Sequence, residues 1–173
     1  MWFRGLAIAA AALALAAYQG KTQAQAPADP AKQEQSAQSK AFMDKVRAEP
    51  GVKVLPSGLA YKVVRSGPTT GLKPALKDEV KVHYEGKLQD GRVFDSSYER
   101  GQPAAMPLGG LIPAWQEALQ LMRPGDEWIL YVPSNLGYGE EGAGGGEIPP
   151  GAPLTFRIEL IDVLPGPGRI QQG

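Results

Sequence analysis

Three runs of this sequence alternate apolar and polar residues with a period of two, a fourth is apolar throughout, and one internal run repeats at the helical period. Leu59, Tyr61 and Val63 alternate with Ala60, Lys62 and Val64 between Gly58 and Gly67. Val80, Val82 and Tyr84 face one way, and Lys81, His83 and Glu85 face the other. Leu154, Phe156, Ile158 and Leu160 oppose Thr155, Arg157 and Glu159. Such alternation marks half-buried antiparallel strands, and the continuous run Trp128 to Val132 after Glu127 marks a more deeply buried one. Ile112, Trp115, Leu119 and Met122 form one apolar stripe at helical spacing, which predicts a helix from Pro113 to Met122. Short strands around one central helix predict an α+β fold, a curved antiparallel β-sheet wrapped around one short α-helix.

The two ends of the chain read differently from this centre. Met1 to Arg4 is a short positive segment, and Gly5 to Ala17 is an unbroken apolar run of 13 residues. A membrane-spanning helix needs about 20 such residues, whereas 13 suit the core of an export signal. Small residues around Thr22 to Ala26 fit a cleavage site, so residues 1–26 are read as a signal peptide cut near 24–26. Residues 27–39 are rich in Gln, Ala, Lys and Pro without apolar period and read as a flexible linker. Phe42, Met43 and Val46 predict a short helix over residues 40–50, stopped by Pro50-Gly51. At about ten residues this helix is too short to carry a dimer, so a monomer is expected. One folded domain is then expected over residues 51–164, with a disordered Pro/Gly/Gln tail over residues 165–173.

Composition removes several kinds of chemistry. The chain has no cysteine, which excludes disulfides, thiol catalysis and thiolate metal sites. It has one histidine, His83, so a multi-histidine metal site is excluded. Lys+Arg and Asp+Glu are equal at 18 each, and removal of Arg4 and Lys21 with the signal leaves 16 basic residues against 18 acidic. Neither balance supports binding to nucleic acid, which needs a clustered basic face, and none is expected to bind. The acidic, glycine-rich loop holding Glu140, Glu141 and Glu147 lacks the spacing of a calcium loop, and it lacks the Lys-Ser/Thr of a phosphate cradle. It reads as a solvated loop. No metal or cofactor is expected.

What remains is a set of aromatic residues in punctuated motifs. Val82-His83-Tyr84-Glu85-Gly86 is followed by Gly91-Arg92-Val93-Phe94-Asp95-Ser96-Ser97 and by Leu108-Gly109-Gly110-Leu111-Ile112-Pro113-Ala114-Trp115. Leu136-Gly137-Tyr138-Gly139, Ile148-Pro149-Pro150 and Leu154-Thr155-Phe156-Arg157-Ile158-Glu159-Leu160 complete the series. Convergence of Tyr84, Phe94, Trp115, Tyr138 and Phe156 would make an apolar pocket, with Asp95 and the Tyr138 hydroxyl as its polar contacts.

Taken in order, these motifs resemble the FKBP-type peptidyl-prolyl cis/trans isomerases, which bind macrolides of the rapamycin and tacrolimus type. The resemblance covers about Val52 to Leu164. Phe42, Gly51-Val52 and Leu55-Pro56-Ser57-Gly58-Leu59-Ala60-Tyr61 are similar to the exported bacterial branch related to macrophage infectivity potentiators. The resemblance implies a half-barrel around the helix and a proline-binding pocket floored by Trp115, with Tyr84, Phe94, Leu111, Ile112 and Phe156 as walls. It further implies that the Ile112 N–H and the Tyr138 hydroxyl donate to substrate carbonyls and that the Asp95 carboxylate accepts. Met106 and Ile148 would complete the substrate contacts, Met106 on the rim and Ile148 on a flap after the glycine loop.

An exported prolyl isomerase, or a chaperone of this kind, would act on proline-containing peptides and unfolded exported proteins, in a bacterial periplasm. The alternative from another class is a non-catalytic peptide-binding module or holdase using the same groove. Two departures from the family pattern stand out. Ala104 replaces an aromatic common after the proline in that segment, which lightens one rim of the pocket and predicts altered macrolide binding. The Glu140–Glu147 loop is more glycine-rich and more acidic than usual, which predicts a mobile flap and a changed peptide preference.

Overall fold

The computed structural model describes residues 29–169. The export-signal reading of residues 1–26 and the last residues of the tail lie outside the described residues.

The first element is longer than the apolar pattern predicts. Helix α1 spans Pro30–Arg47, so most of the stretch read as a linker is helical. The Asp29 side chain accepts from the Ala31 N–H at 3.1 Å, and Pro30 sits at the first helical position, where a missing N–H costs nothing. Ala, Lys, Gln and Glu fill the segment, and these are strong helix formers even without an apolar face. The end comes where Pro50 disfavours helical backbone at the residue before it, and Gly51 turns with φ of 81°. Only the last turns of α1 bury side chains, Met43 and Val46, against Ala60 and Tyr131. Two such side chains stabilise the docking by roughly 1.5–3 kcal/mol each when fully buried. The monomer expectation rested on a ten-residue helix, and that premise does not hold for an 18-residue one.

Seven strands follow: β1 (Val52–Val54), β2 (Ala60–Arg65), β3 (Glu79–Leu88), β4 (Val93–Ser96), β5 (Ala104–Pro107), β6 (Glu127–Val132) and β7 (Leu154–Leu164). All pairings are antiparallel, in the order β1-β2-β6-β7-β3-β4, with β5 sharing the free edge of β3 beside β4. This is the expected α+β architecture. Helix α2 (Pro113–Leu119) lies against the inner face. It ends three residues before the predicted limit, and the chain continues through a turn that still buries Met122 completely.

The period-two pattern sorts the two faces. Val80, Val82 and Tyr84 of β3, Leu130 and Val132 of β6, and Leu154, Phe156, Ile158 and Leu160 of β7 point into one core with Trp115, Ala118 and Leu119 of α2. The other face carries α1. The alternation fails at the end of β2, where a register shift between Val63 and Arg65 leaves both Val63 and Val64 exposed. Glu127 is buried and is held between Arg65 and Arg157 on neighbouring strands.

The segment after β7 also departs from expectation. Residues up to Arg169 pack back on the body: the Gly166 N–H donates to Asp78 at 2.9 Å, and Arg169 pairs with the same carboxylate. The reading of residues 165–173 as disordered therefore does not hold through Arg169. Its cause is a specific polar partner, which neither Pro/Gly content nor apolar period can reveal.

Candidate functional site

Gly86 explains how aromatic rings come to lie over the strand. It pairs with Phe156 on one side and Asp95 on the other, and a Cβ there would sit 2.5 Å from Phe94 and 2.8 Å from Phe156. The missing side chain is thus the space that both phenyl rings occupy. Phe94 and Phe156 meet edge to face at 5.6 Å and 88°. Trp115, in the first turn of α2, meets Phe156 at 5.3 Å and Tyr84 at 5.1 Å, again edge to face. Such contacts place a positive ring edge against a negative ring face and add about 0.5–1.5 kcal/mol each beyond burial.

These rings enclose a cavity of about 270 Å³ lined by Tyr84, Phe94, Asp95, Met106, Gly110, Leu111, Ile112, Trp115, Tyr138 and Phe156. Nine of the ten residues expected at the site from the sequence converge there. The tenth, Ile148, does not. It is buried in the main core at 5% exposure, because its backbone N–H and C=O both pair with Ala143 and fold the loop back on itself. The turn between them needs glycine: a Cβ on Gly142, which has φ of 67°, would lie 2.1 Å from the Ile148 carbonyl oxygen. A larger groove of about 380 Å³ runs between α1 and residues 149–151, but no aromatic residue lines it.

The polar groups of the pocket divide into held and free. The Tyr84 hydroxyl donates to Asp95 Oδ2 at 2.5 Å, and Arg100 Nη2 donates to the Tyr84 oxygen at 2.8 Å. Arg100 Nη1 also pairs with Asp95 Oδ1, closing a triangle. Burial works against charge on Asp95, but the hydrogen bonds from Tyr84 and Arg100 outweigh it and hold its carboxyl below the ordinary range. The Tyr84 hydroxyl is raised, first by burial and then by the Asp95 carboxylate. Tyr138 is raised as well, by burial and by the nearby Asp95 charge. Among the described residues, neither the Tyr138 hydroxyl nor the Ile112 N–H has a hydrogen-bond partner, so both remain available as donors.

Sequence reasoning missed two residues. Arg100 stands in a loop where nothing in the local pattern distinguishes it from a solvated charge. Ser97 is fully buried, and its hydroxyl accepts from the Tyr84 N–H at 2.8 Å and lies 2.9 Å from His83 Nδ1. Its place at the end of the Phe94-Asp95-Ser96-Ser97 motif was the available signal.

A sequence profile of the FKBP-type peptidyl-prolyl cis-trans isomerases matches residues 71–161. The chain belongs to this family. A second profile, for the domain amino-terminal to FKBP-type isomerases, matches residues 6–63 and overlaps the segment read as an export signal. The peptidyl-prolyl cis-trans isomerase Mip of Coxiella burnetii is 53% identical over 125 residues, covering 72% of this chain and 53% of that one. The outer membrane protein MIP of Legionella longbeachae is 46% identical over 131 residues, covering 76% of this chain and 55% of that one. The chain thus spans about half the length of these curated relatives. The crystal structure of a peptidyl-prolyl cis-trans isomerase from Pseudomonas syringae superposes with a TM-score of 0.72 at 40% identity, covering 79% of this chain and 98% of that one. The FKBP-type half-barrel around a short helix is therefore the fold of this chain.

Proposed function

We propose that this chain is a peptidyl-prolyl cis-trans isomerase that acts on proline-containing segments of exported proteins. The observation that carries the reading is the aromatic pocket floored by Trp115, with two free donors and one charged acceptor on its walls. An Xaa-Pro bond rotates over a barrier of about 18–20 kcal/mol because amide resonance holds it planar. Uncatalysed exchange takes roughly tens to hundreds of seconds, slow enough to limit folding. Rotation breaks no covalent bond, so the site needs neither a nucleophile nor a proton relay. The planar amide is the more polar state, since resonance separates charge between nitrogen and oxygen. An apolar pocket disfavours that state relative to the twisted one.

In this reading the proline ring sits on Trp115 between Phe94 and Phe156, which holds one side of the bond while the other rotates. The Ile112 N–H and the Tyr138 hydroxyl donate to carbonyls of the substrate backbone, and donors aimed at the twisted geometry raise the rate selectively. Asp95 accepts from the substrate or holds Tyr84 in place, and Leu111 and Met106 contact the residue before the proline. Export rests on the 13-residue apolar run at the N-terminus and on a relative named as an outer membrane protein. Among the described residues, no helix is long and apolar enough to cross a membrane. Proteins that cross a membrane unfolded sort their Xaa-Pro bonds afterwards, and such chains are the proposed clients.

The test compares two readouts on the same samples: exchange of a short Xaa-Pro peptide, and suppression of aggregation of an unfolded protein. The unaltered chain is expected to accelerate exchange, and Asp95→Ala to lose most of that acceleration. A folded chain that suppresses aggregation without accelerating exchange would replace the enzyme with a holdase.

A further inference from the structure

We infer that Arg169 is a positioning residue for the aromatic pocket, acting through Asp78 on the rim at residues 108–112. The inference rests on the reading of that pocket as the isomerase site. Asp78 is 1% exposed and lies in the loop immediately before β3, outside the pocket. Its carboxylate accepts from the Ala75 N–H at 2.8 Å and from the Gly166 N–H at 2.9 Å, and it pairs with the Arg169 guanidinium. A buried carboxylate is costly unless paired and fully hydrogen-bonded, and Arg169 supplies the charge. The same guanidinium donates to the Lys73 carbonyl at 3.2 Å, so it ties both ends of the 73–78 loop. Gly166 approaches closely enough that a Cβ would lie 2.0 Å from the Lys77 carbonyl oxygen.

The loop in turn holds the rim. The Leu108 N–H donates to the Asp78 carbonyl and the Gly109 N–H to the Leu76 carbonyl, each at 3.0 Å. Contact is again close, for a Cβ on Gly109 would sit 2.8 Å from that Leu76 oxygen. Residues 110–112 then line the cavity and present the free Ile112 N–H. The segment 73–78 has no helix or strand of its own, so these polar contacts, and not a ladder, set where it lies. Charge on Arg169 is thereby converted into the position of a donor at the opposite end of the chain of contacts.

The experiment uses the whole chain with Arg169→Gln, with Arg169→Lys and with a version ending at Leu164. Amide hydrogen exchange at Leu108 and Gly109 is read beside that at Trp128 and Ile158 in the central strands, and KM and kcat are measured on an Xaa-Pro peptide. In Arg169→Gln and in the shortened chain, exchange at Leu108 and Gly109 is expected to quicken at least tenfold while Trp128 and Ile158 keep their protection. kcat is expected to fall three- to tenfold with KM changed less than twofold, as for a donor that acts in the twisted state, and Arg169→Lys to restore most of the loss. Unchanged exchange at 108–109, or equal quickening in the central strands, would overturn the inference. So would local quickening with unchanged kcat. Should the unaltered chain prove inactive, the isomerase reading fails by itself, and exchange at 108–109 still decides whether the clasp exists.

Discussion

The two sides of the aromatic pocket are built in opposite ways. On one side Tyr84, Asp95 and Arg100 hold one another in a closed triangle, with Ser97 pinning the Tyr84 backbone from behind. On the other side Tyr138 is 38% exposed, and its hydroxyl is free among the described residues. The first side is fixed before a ligand arrives, whereas the second can adjust to it. A reaction whose substrate changes shape by half a turn about one bond has a use for both. In the proposed reading the aromatic rings hold the proline, the fixed wall keeps Tyr84 and Asp95 in place beside it, and the Tyr138 donor follows the carbonyl that moves.

The contrast breaks most severely if the ring that supports the Trp115 floor is lost. Phe156→Ala is expected to cost about 3–5 kcal/mol of stability and to abolish turnover, because the ring supports Trp115 and Phe94 at once. Thermal unfolding with an Xaa-Pro exchange assay checks both. Asp95→Ala acts on the fixed wall alone: kcat/KM should fall about tenfold, equivalent to roughly 1.4 kcal/mol, with little change in melting temperature. Tyr138→Phe acts on the open wall and removes the donor proposed for a substrate carbonyl, a neutral hydrogen bond worth about 0.5–1.5 kcal/mol, so kcat/KM should fall roughly two- to tenfold with stability unchanged. If Tyr138→Phe proves more damaging than Asp95→Ala, the division into a fixed and an adjustable wall is wrong.

The smallest effect is that of pH. Asp95 is held below its usual value of 3.8, so its contribution is fully present above that value and is lost only as pH falls through the lower folded one. Tyr138 is raised above 10.0 and keeps its proton throughout the neutral range. Exchange catalysis should therefore be flat from about pH 5 to 9. A steep change near pH 6.5 would point to a group outside this pair.

The strands were legible because burial on one face writes a period of two into Val80, Val82 and Tyr84 and into Leu154 to Leu160. The convergence of the pocket residues was not written in any period. It followed from the resemblance of six motifs to a known family. Three of the residues that stayed hidden share one physical cause. Arg100, Asp78 and Arg169 act through polar contacts between residues far apart in sequence, and a charged residue in a loop looks the same whether solvated or paired. Ile148 was misplaced because the Ala143 turn folds it inward, a consequence of backbone pairing and not of its own side chain. The first half of α1 was missed because its support is the Asp29 cap and helix propensity, while the apolar period begins only at Phe42.

The most direct test of the pocket as the site of rotation is the exchange rate of a short Xaa-Pro peptide with the folded chain, alone and with excess rapamycin. Exchange far above the spontaneous rate, suppressed when the macrolide fills the pocket, is the predicted result. A folded chain that leaves exchange at its spontaneous rate would contradict the account.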